Sequence, residues 1–372
     1  MDIYTYIDTY SKLSFEEKNF TEIDNLIFSL LIYLDFQGIV KTTSEKIPLQ
    51  KAGEIFLKNY TMKQMETLGI AQKNAYIILS KIITTPRYQN VLLSQYVYEA
   101  TKDKQFSAIT FEVKKKVIYI AFEGTDELLS GWKENFQMSY LFPNPSQLLA
   151  IKYLNKNISI FTKKVIVGGH SKGGNLALVA SMYCKRFYQY KIKKIYSNDG
   201  PGLRKEQLLS ANYQRVKHKL IHFVPEYTVV GILLRNERYH VVKSTKKNIY
   251  AHDIATWKII DDKLERGSLS ERSKNIETSL ILWLENHTDL EKEQIITNIF
   301  EVLESKNIDK VIEIKGIKKT VEMIDSIRKL DPTTKKLMIN LFTFVGKYVV
   351  SNSNFIKKEL PQYIIPNKLK KE

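Results

Sequence analysis

The five residues Gly169-His170-Ser171-Lys172-Gly173 match the pattern G-x-S-x-G, and their setting matters more than the pattern. The apolar run Val165-Ile166-Val167 reads as a strand leading into them, and residues 175–180 read as a helix leading away. A chain that turns so sharply between strand and helix holds the central residue strained, with its side-chain oxygen presented outward. Glycines two before and two after remove Cβ atoms that would collide there, and Gly168 and Gly174 widen the emptied zone. The helix start also directs free N–H groups and a positive dipole end at Ser171. Such a hydroxyl can attack an acyl carbonyl, with the backbone N–H of Lys172 donating to the oxyanion that forms. The same glycines could instead cradle a phosphate, with Ser171 as one donor, but their spacing fits neither a P-loop nor a dinucleotide-binding fingerprint.

A second donor is expected at the end of another apolar strand. Residues 117–122 are that strand, followed by Glu123-Gly124-Thr125-Asp126. Gly124 permits a tight backbone, the N–H of Thr125 is the candidate donor, and its hydroxyl is expected to hold the loop. Gly-Thr after a strand is ordinarily only a turn; its place before the elbow is what singles it out.

A serine nucleophile needs a base, and the base an orienting acid, in the chain order Ser, acid, His. Six histidines are available. His170 is too close to turn back onto Ser171, His218 and His222 sit at or in a strand, His240 opens the last strand, and His287 lies in a helical tail. His252 follows the last strand, where an imidazole can reach the sheet's C-terminal edge, and is the expected base. For the acid, Asp199 in Ser197-Asn198-Asp199-Gly200-Pro201-Gly202 ranks first and Glu226 second; Asp253 adjoins His252 too closely to orient it. Asp199 also fits a plain turn former.

These residues need elements to hold them. The first hundred residues read as helices: Thr21 as N-cap of a helix carrying Ile23, Leu26, Ile27, Leu30, Leu31 and Leu34, another from Pro48 and Gly53 to Tyr60, and a third over residues 75–83. From residue 107 the text alternates: strands over 107–113, 117–122, 165–167, 192–196, 219–224 and 240–242, with Lys114-Lys115-Lys116 as a turn. Alternating strands and helices predict a mostly parallel sheet covered on both faces. Helices return from residue 268, with Ile276, Leu280, Ile281 and Leu284 on one face and further candidates over 295–303, 317–327 and 337–349. The expected organisation is residues 1–265 as one domain, with a helical N-terminal segment over 1–104, and residues 266–372 as a C-terminal helical region.

Composition narrows the class further. The chain has 372 residues, 44% apolar and 26% charged, which excludes wholesale disorder. One cysteine, Cys184, excludes a disulfide framework and a cysteine-based zinc site. No apolar run reaches the roughly 20 residues needed to cross a bilayer. The start, Met1-Asp2-Ile3-Tyr4, is acidic where a secretory signal is basic, so a cytoplasmic location is expected. The net charge of +17 is uneven: residues 151–240 carry 17 basic against 4 acidic side chains. That block suits an anionic headgroup or simply flanks buried strands; no RNA-recognition, helix-turn-helix or zinc-finger pattern accompanies it, so nucleic acid is not the expected partner.

Residues 121–126 together with 169–173 resemble the class 3 lipases of the α/β-hydrolase superfamily. The N-terminal wording, Leu13-Ser14-Phe15, Asp24-Asn25-Leu26 and Tyr33-Leu34-Asp35, with residues 198–202 and His252-Asp253, resembles more narrowly the Mbeg1-like bacterial proteins. The resemblance covers about residues 1–260. It implies an α/β-hydrolase fold, Ser171 as nucleophile, His252 as base, and Thr125 with Lys172 as oxyanion donors. In class 3 lipases the acid follows the strand that here ends near Val224, in an Asn-Asp-x-Val-Pro context. This chain has Glu226-Tyr227-Thr228 there, so either Asp199 or Glu226 takes the role, or the triad is incomplete.

The expectation is therefore a serine hydrolase acting on acyl esters or lysophospholipids without metal or organic cofactor, in peripheral contact with an anionic membrane surface. Residues 128–153, with Trp132, Phe136, Tyr140 and Phe142, form either a lid over an acyl pocket or part of the core. Two other classes fit the same residues: a non-catalytic module that keeps the fold to bind a lipid or partner, and an effector that attacks membrane lipid when triggered.

Overall fold

The strands form because their apolar residues can be covered on two sides at once. In the computed structural model, which describes residues 1–101, 104–125, 129–305 and 332, eight strands make one sheet in chain order. They are β1 (Ile47–Pro48), β2 (Leu92–Thr101), β3 (Lys104–Lys114), β4 (Val117–Phe122), β5 (Lys164–His170), β6 (Ile192–Asn198), β7 (Leu220–Pro225) and β8 (His240–Val242). β1 to β4 pair antiparallel and β4 to β8 parallel.

The helices are α1 (Ile3–Tyr10), α2 (Glu22–Leu31), α3 (Leu49–Asn59), α4 (Met62–Leu68), α5 (Ile70–Ile82), α6 (Leu129–Gln137) and α7 (Pro145–Asn157). They continue with α8 (Lys172–Tyr183), α9 (Arg186–Lys191), α10 (Lys205–Leu209), α11 (Ala211–Val216), α12 (Glu271–Asn286) and α13 (Asp289–Ser305). Alternation along β4 sorts them: Tyr119 and Ala121 face a core with α1, α2 and α5, while Ile118, Ile120 and Phe122 face one with α7, α8 and α11. Both faces of the sheet are thus buried, as a parallel arrangement requires.

α2 starts where expected. Thr21 accepts from the N–H of Asp24, and the Asp24 carboxylate accepts from the N–H of Thr21, a closed capping box. The same carboxylate binds buried Arg87, whose guanidinium also donates to the carbonyls of Leu13, Lys18 and Asn19. That network fastens α2 and the loop before it to the segment between α5 and β2.

Two differences from the sequence reading stand out. Residues 1–104 are not wholly helical, because β1 and β2 lie within them. β2 was hidden by a bulge: its register with β3 shifts between Ser94 and Val97, and Gln95 takes a φ of 60°, so the alternation that marks a strand breaks mid-run. Helices α12 and α13, beyond the boundary expected at residue 265, bury Ile276, Leu280, Trp283, Ile296 and Phe300 against Val224, Val230 and Ile232. The candidate helices over 317–327 and 337–349 lie outside the described residues.

Residues 128–153 divide between packing roles. Phe136 and Tyr140 pack on the α12–α13 cluster and Phe142 against Tyr183, so these three aromatics join the core rather than a free lid; the Trp132 side chain lies outside the described residues. Among the described residues no helix is long and apolar enough to cross a membrane.

Candidate active site

β5 runs three residues further than its apolar core suggests, because Gly168 and Gly169 stay paired with both β4 and β6 and His170 stays paired with β6. The chain then reverses into α8 through Ser171, at φ 55° and ψ −131°. A side chain in that region costs about 1–3 kcal/mol and persists only where the surroundings impose it. Here they do: the Ser171 N–H donates to the carbonyl of Asn198 at 2.9 Å, and the Ser171 carbonyl accepts from the N–H of Gly174 at 2.9 Å. A Cβ on Gly169 would come within 2.5 Å of the Gly173 backbone and 2.6 Å of the Phe122 carbonyl, so the turn closes only with glycine at that position.

The next parallel strand ends the same way. Asp199 follows β6 at a φ of 50°, and its N–H donates to the Phe223 carbonyl at 2.7 Å. Its carboxylate is fully buried and accepts three hydrogen bonds: from Thr228 Oγ1 at 2.5 Å, from the N–H of Gly231 at 3.1 Å, and from His252 Nδ1 at 2.6 Å. An acid offering only acceptors to Nδ1 fixes the tautomer of His252: the proton sits on Nδ1 and the lone pair on Nε2. Asp199 and His252 are therefore brought together from positions 53 residues apart.

The other acid candidates are turned elsewhere. The Glu226 carboxylate lies against Gly267, where a Cβ would meet Oε1 at 2.9 Å. Asp253 caps the following turn through the N–H of Ala255 at 3.0 Å and accepts from Asn74 Nδ2 at 2.9 Å; its burial raises its pKa. Together with the Trp257 indole, which donates to the Ala251 carbonyl at 2.9 Å, Asp253 holds the short helical turn that ends at His252.

His170 does not approach its neighbour's oxygen, yet it meets His252. Its Nε2 lies 2.9 Å from the His252 carbonyl, and the two rings are 4.4 Å apart at their centroids. A carbonyl only accepts, so Nε2 carries the proton and Nδ1 accepts from the Tyr33 hydroxyl at 2.9 Å. Burial, with His252 beside it, pushes the His170 pKa well below that of a free imidazole. His222, in β7, is buried and pushed down to about 4, while His240 opens β8 and His287 follows α12.

Of the two expected donors, Lys172 directly follows Ser171, and Thr125 follows Gly124, which packs on the elbow. Lys172 is the first residue of α8, and Gly124 packs so closely that a Cβ there would stand 2.5 Å from the His170 carbonyl and 3.0 Å from Ser171 Cβ. The Thr125 hydroxyl, expected to hold the loop, is buried without a hydrogen-bond partner among the described residues, and Asp126 lies outside them. Among the described residues no hydrogen bond joins Ser171 Oγ to His252. The Lys172 side chain is buried and donates to Glu134 and to the Gln105 carbonyl, each at 2.7 Å.

What the sequence reading missed is the support under these residues. Asn25, Ser29 and Tyr33 recur every four residues along and just beyond α2, on its sheet-facing side. Asn25 Nδ2 donates to Asn198 Oδ1 at 2.8 Å, Asn198 Nδ2 donates to Ser29 Oγ at 3.1 Å, and Tyr33 reaches His170. The spacing is visible in the sequence, but it lies among the apolar positions of α2, which read simply as core.

A strained serine between strand and helix, a carboxylate after the next strand and an imidazole beyond the last, on a mostly parallel sheet covered on both faces, define the α/β-hydrolase fold. The chain belongs to the Mbeg1-like family, whose model matches residues 82–301. Among solved structures it is similar to the crystal structure of M37 lipase, at 15% identity and a TM-score of 0.34 over 57% of this chain and 70% of that one. A comparison with curated protein sequences finds no match.

Proposed function

We propose that the protein is a serine hydrolase that cleaves acyl esters through an acyl-enzyme. Ser171 attacks the ester carbonyl while His252 Nε2 takes its proton, and the same proton then passes to the leaving alcohol. Asp199 keeps the imidazole in the required tautomer and stabilises its charged form. The N–H groups of Lys172 and Thr125 donate to the tetrahedral oxyanion; losing one such donor costs roughly 10²–10³ in kcat. Water, deprotonated in turn by His252, releases the acid. Acyl esters, lysophospholipids among them, are the substrate class.

The observation that carries this reading is the 2.6 Å hydrogen bond from His252 Nδ1 to a buried Asp199, on the same sheet edge as a serine in the strained elbow conformation. A non-catalytic binding module is favoured by one observation, the missing hydrogen bond between Ser171 Oγ and His252. Catalytic contacts are often long before substrate binds, which leaves the enzyme reading ahead. Hydrolysis of p-nitrophenyl butyrate separates the two. The enzyme reading expects turnover that Ser171→Ala and His252→Ala each abolish; absence of turnover with that ester and with lysophosphatidylcholine overturns it.

A further inference from the structure

The opposite edge of the sheet, where β5 and β6 begin, carries a second surface. Four large apolar side chains stand out from it: Ile160 and Phe161 in the loop before β5, at 65% and 70% exposure, and Phe187 and Tyr190 on α9, at 56% and 69%. They form one patch. Lys191 Nζ donates to the carbonyls of Ile160 at 2.5 Å and Thr162 at 2.7 Å, and lies 4.9 Å from the centre of the Phe187 ring. Lys193 Nζ donates to the Tyr190 carbonyl at 3.0 Å. Lys191 thus holds the 159–162 loop against α9, and the two apolar pairs project side by side.

The rim is basic. Lys163, Lys185, Arg186 and Lys193 are exposed around the patch, and no Asp or Glu occurs from residue 135 to residue 198. Lys114, Lys164, Lys194 and Lys219 crowd the same edge. Burial together with neighbouring lysines lowers the pKa of Lys164 and of Lys219. Two acidic groups are paired there: Glu16, 3.4 Å from Lys114, and Glu112, which pairs with Lys46 and accepts from the N–H of Lys116. Exposed aromatics inside a ring of lysines complement a surface that offers negative charge outside and hydrocarbon beneath. A protein partner would call for a flatter apolar core with fewer lysines.

We propose that this edge docks the protein on an anionic phospholipid bilayer, with Ile160, Phe161, Phe187 and Tyr190 entering the headgroup layer and the surrounding lysines and Arg186 meeting lipid phosphates. The geometry separates docking from the candidate active site. β5 starts beside the patch and ends at His170, one residue before Ser171, and its seven residues span about 20 Å. Docked this way, Ser171 faces away from the bilayer, so the contact tethers the protein without feeding lipid to the serine. The inference stands independently of the hydrolase reading.

Flotation of the full chain with vesicles tests it, comparing phosphatidylcholine–phosphatidylglycerol mixtures with pure phosphatidylcholine. Binding is expected to the anionic vesicles alone and to fall as salt rises. Phe161→Ser with Phe187→Ser should weaken it about tenfold or more. Lys163→Glu with Lys193→Glu should weaken it further, since each basic residue near such a surface contributes about fivefold. Both variants should keep the wild-type circular dichroism spectrum, and Ser171→Ala should bind as wild type does. No binding to anionic vesicles, equal binding to both vesicle types, or binding indifferent to both variant pairs overturns the proposal. So does a dimer in solution that Phe161→Ser with Phe187→Ser dissociates, or retention on nucleic acid but not on vesicles.

Discussion

The Nε2–H of His170 donates to the backbone carbonyl of His252 across 2.9 Å, so the residue before the candidate nucleophile holds the main chain of the candidate base. The contact needs a proton on Nε2, and Tyr33, by donating to Nδ1, selects that tautomer of the neutral ring. Protonation of His170 would place a cation against the ring that must itself become charged during acyl transfer.

Replacing His170 by Phe keeps a ring against His252 and removes both hydrogen bonds. The expected result on a soluble ester is a fall in kcat of about ten- to a hundredfold, or roughly 1.4–3 kcal/mol in the barrier, with KM little changed. Tyr33→Phe should lower kcat by about tenfold or less. Steady-state kinetics give both; an unchanged kcat in His170→Phe contradicts the positioning role.

Asp199→Asn alters the tautomer of His252 while preserving shape. Loss of the orienting acid in a triad costs about 10³–10⁴ in kcat. Glu226→Gln, whose carboxylate is turned toward Gly267, should leave kcat within about threefold of wild type. The two variants assayed side by side decide which carboxylate acts.

The buried Lys172–Glu134 pair ties the elbow to α6. Lys172→Met strands the Glu134 carboxylate and should cost about 3–5 kcal/mol of unfolding free energy. Lys172→Met with Glu134→Leu should recover most of it, because both charges are gone. Urea unfolding measures the cycle. Since the proposed oxyanion donor is the backbone N–H of Lys172, the double variant should keep kcat within about tenfold.

Buried His222 sets a direction for pH dependence. Its folded pKa is pushed down from 6.5 to about 4, so the unfolded chain takes up the proton first as pH falls. Its contribution is intact above pH 6.5 and is lost between there and about 4, with a slope of up to about 1.4 kcal/mol per pH unit. His170, also depressed, acts with the same sign. Urea midpoints between about pH 7 and pH 5 should fall with pH in wild type, and fall less steeply in His222→Asn.

How much was legible follows from range. The β4 and β8 bounds, the cap at Thr21 and the elbow are local patterns, and a local pattern survives folding unchanged. The bulge at Gln95 that hid β2 is a backbone conformation, not a composition, and a run of mixed residues does not announce it. Which of Asp199 and Glu226 meets His252 depends on which loop faces the imidazole, a distance set by the twist of the parallel strands β6, β7 and β8. Tyr33 and Asn25 were legible only as spacing. Their meaning arises because α2 lies across the ends of β5 and β6, and nothing in the helix itself encodes that docking.

Covalent capture of the candidate nucleophile tests the central claim most directly. Wild-type protein incubated with a fluorophosphonate should gain one phosphonyl group, and peptide mass spectrometry should locate it on Ser171, with no adduct in Ser171→Ala and slower labelling in His252→Ala. An unlabelled wild type, or an adduct that persists in Ser171→Ala, contradicts the account.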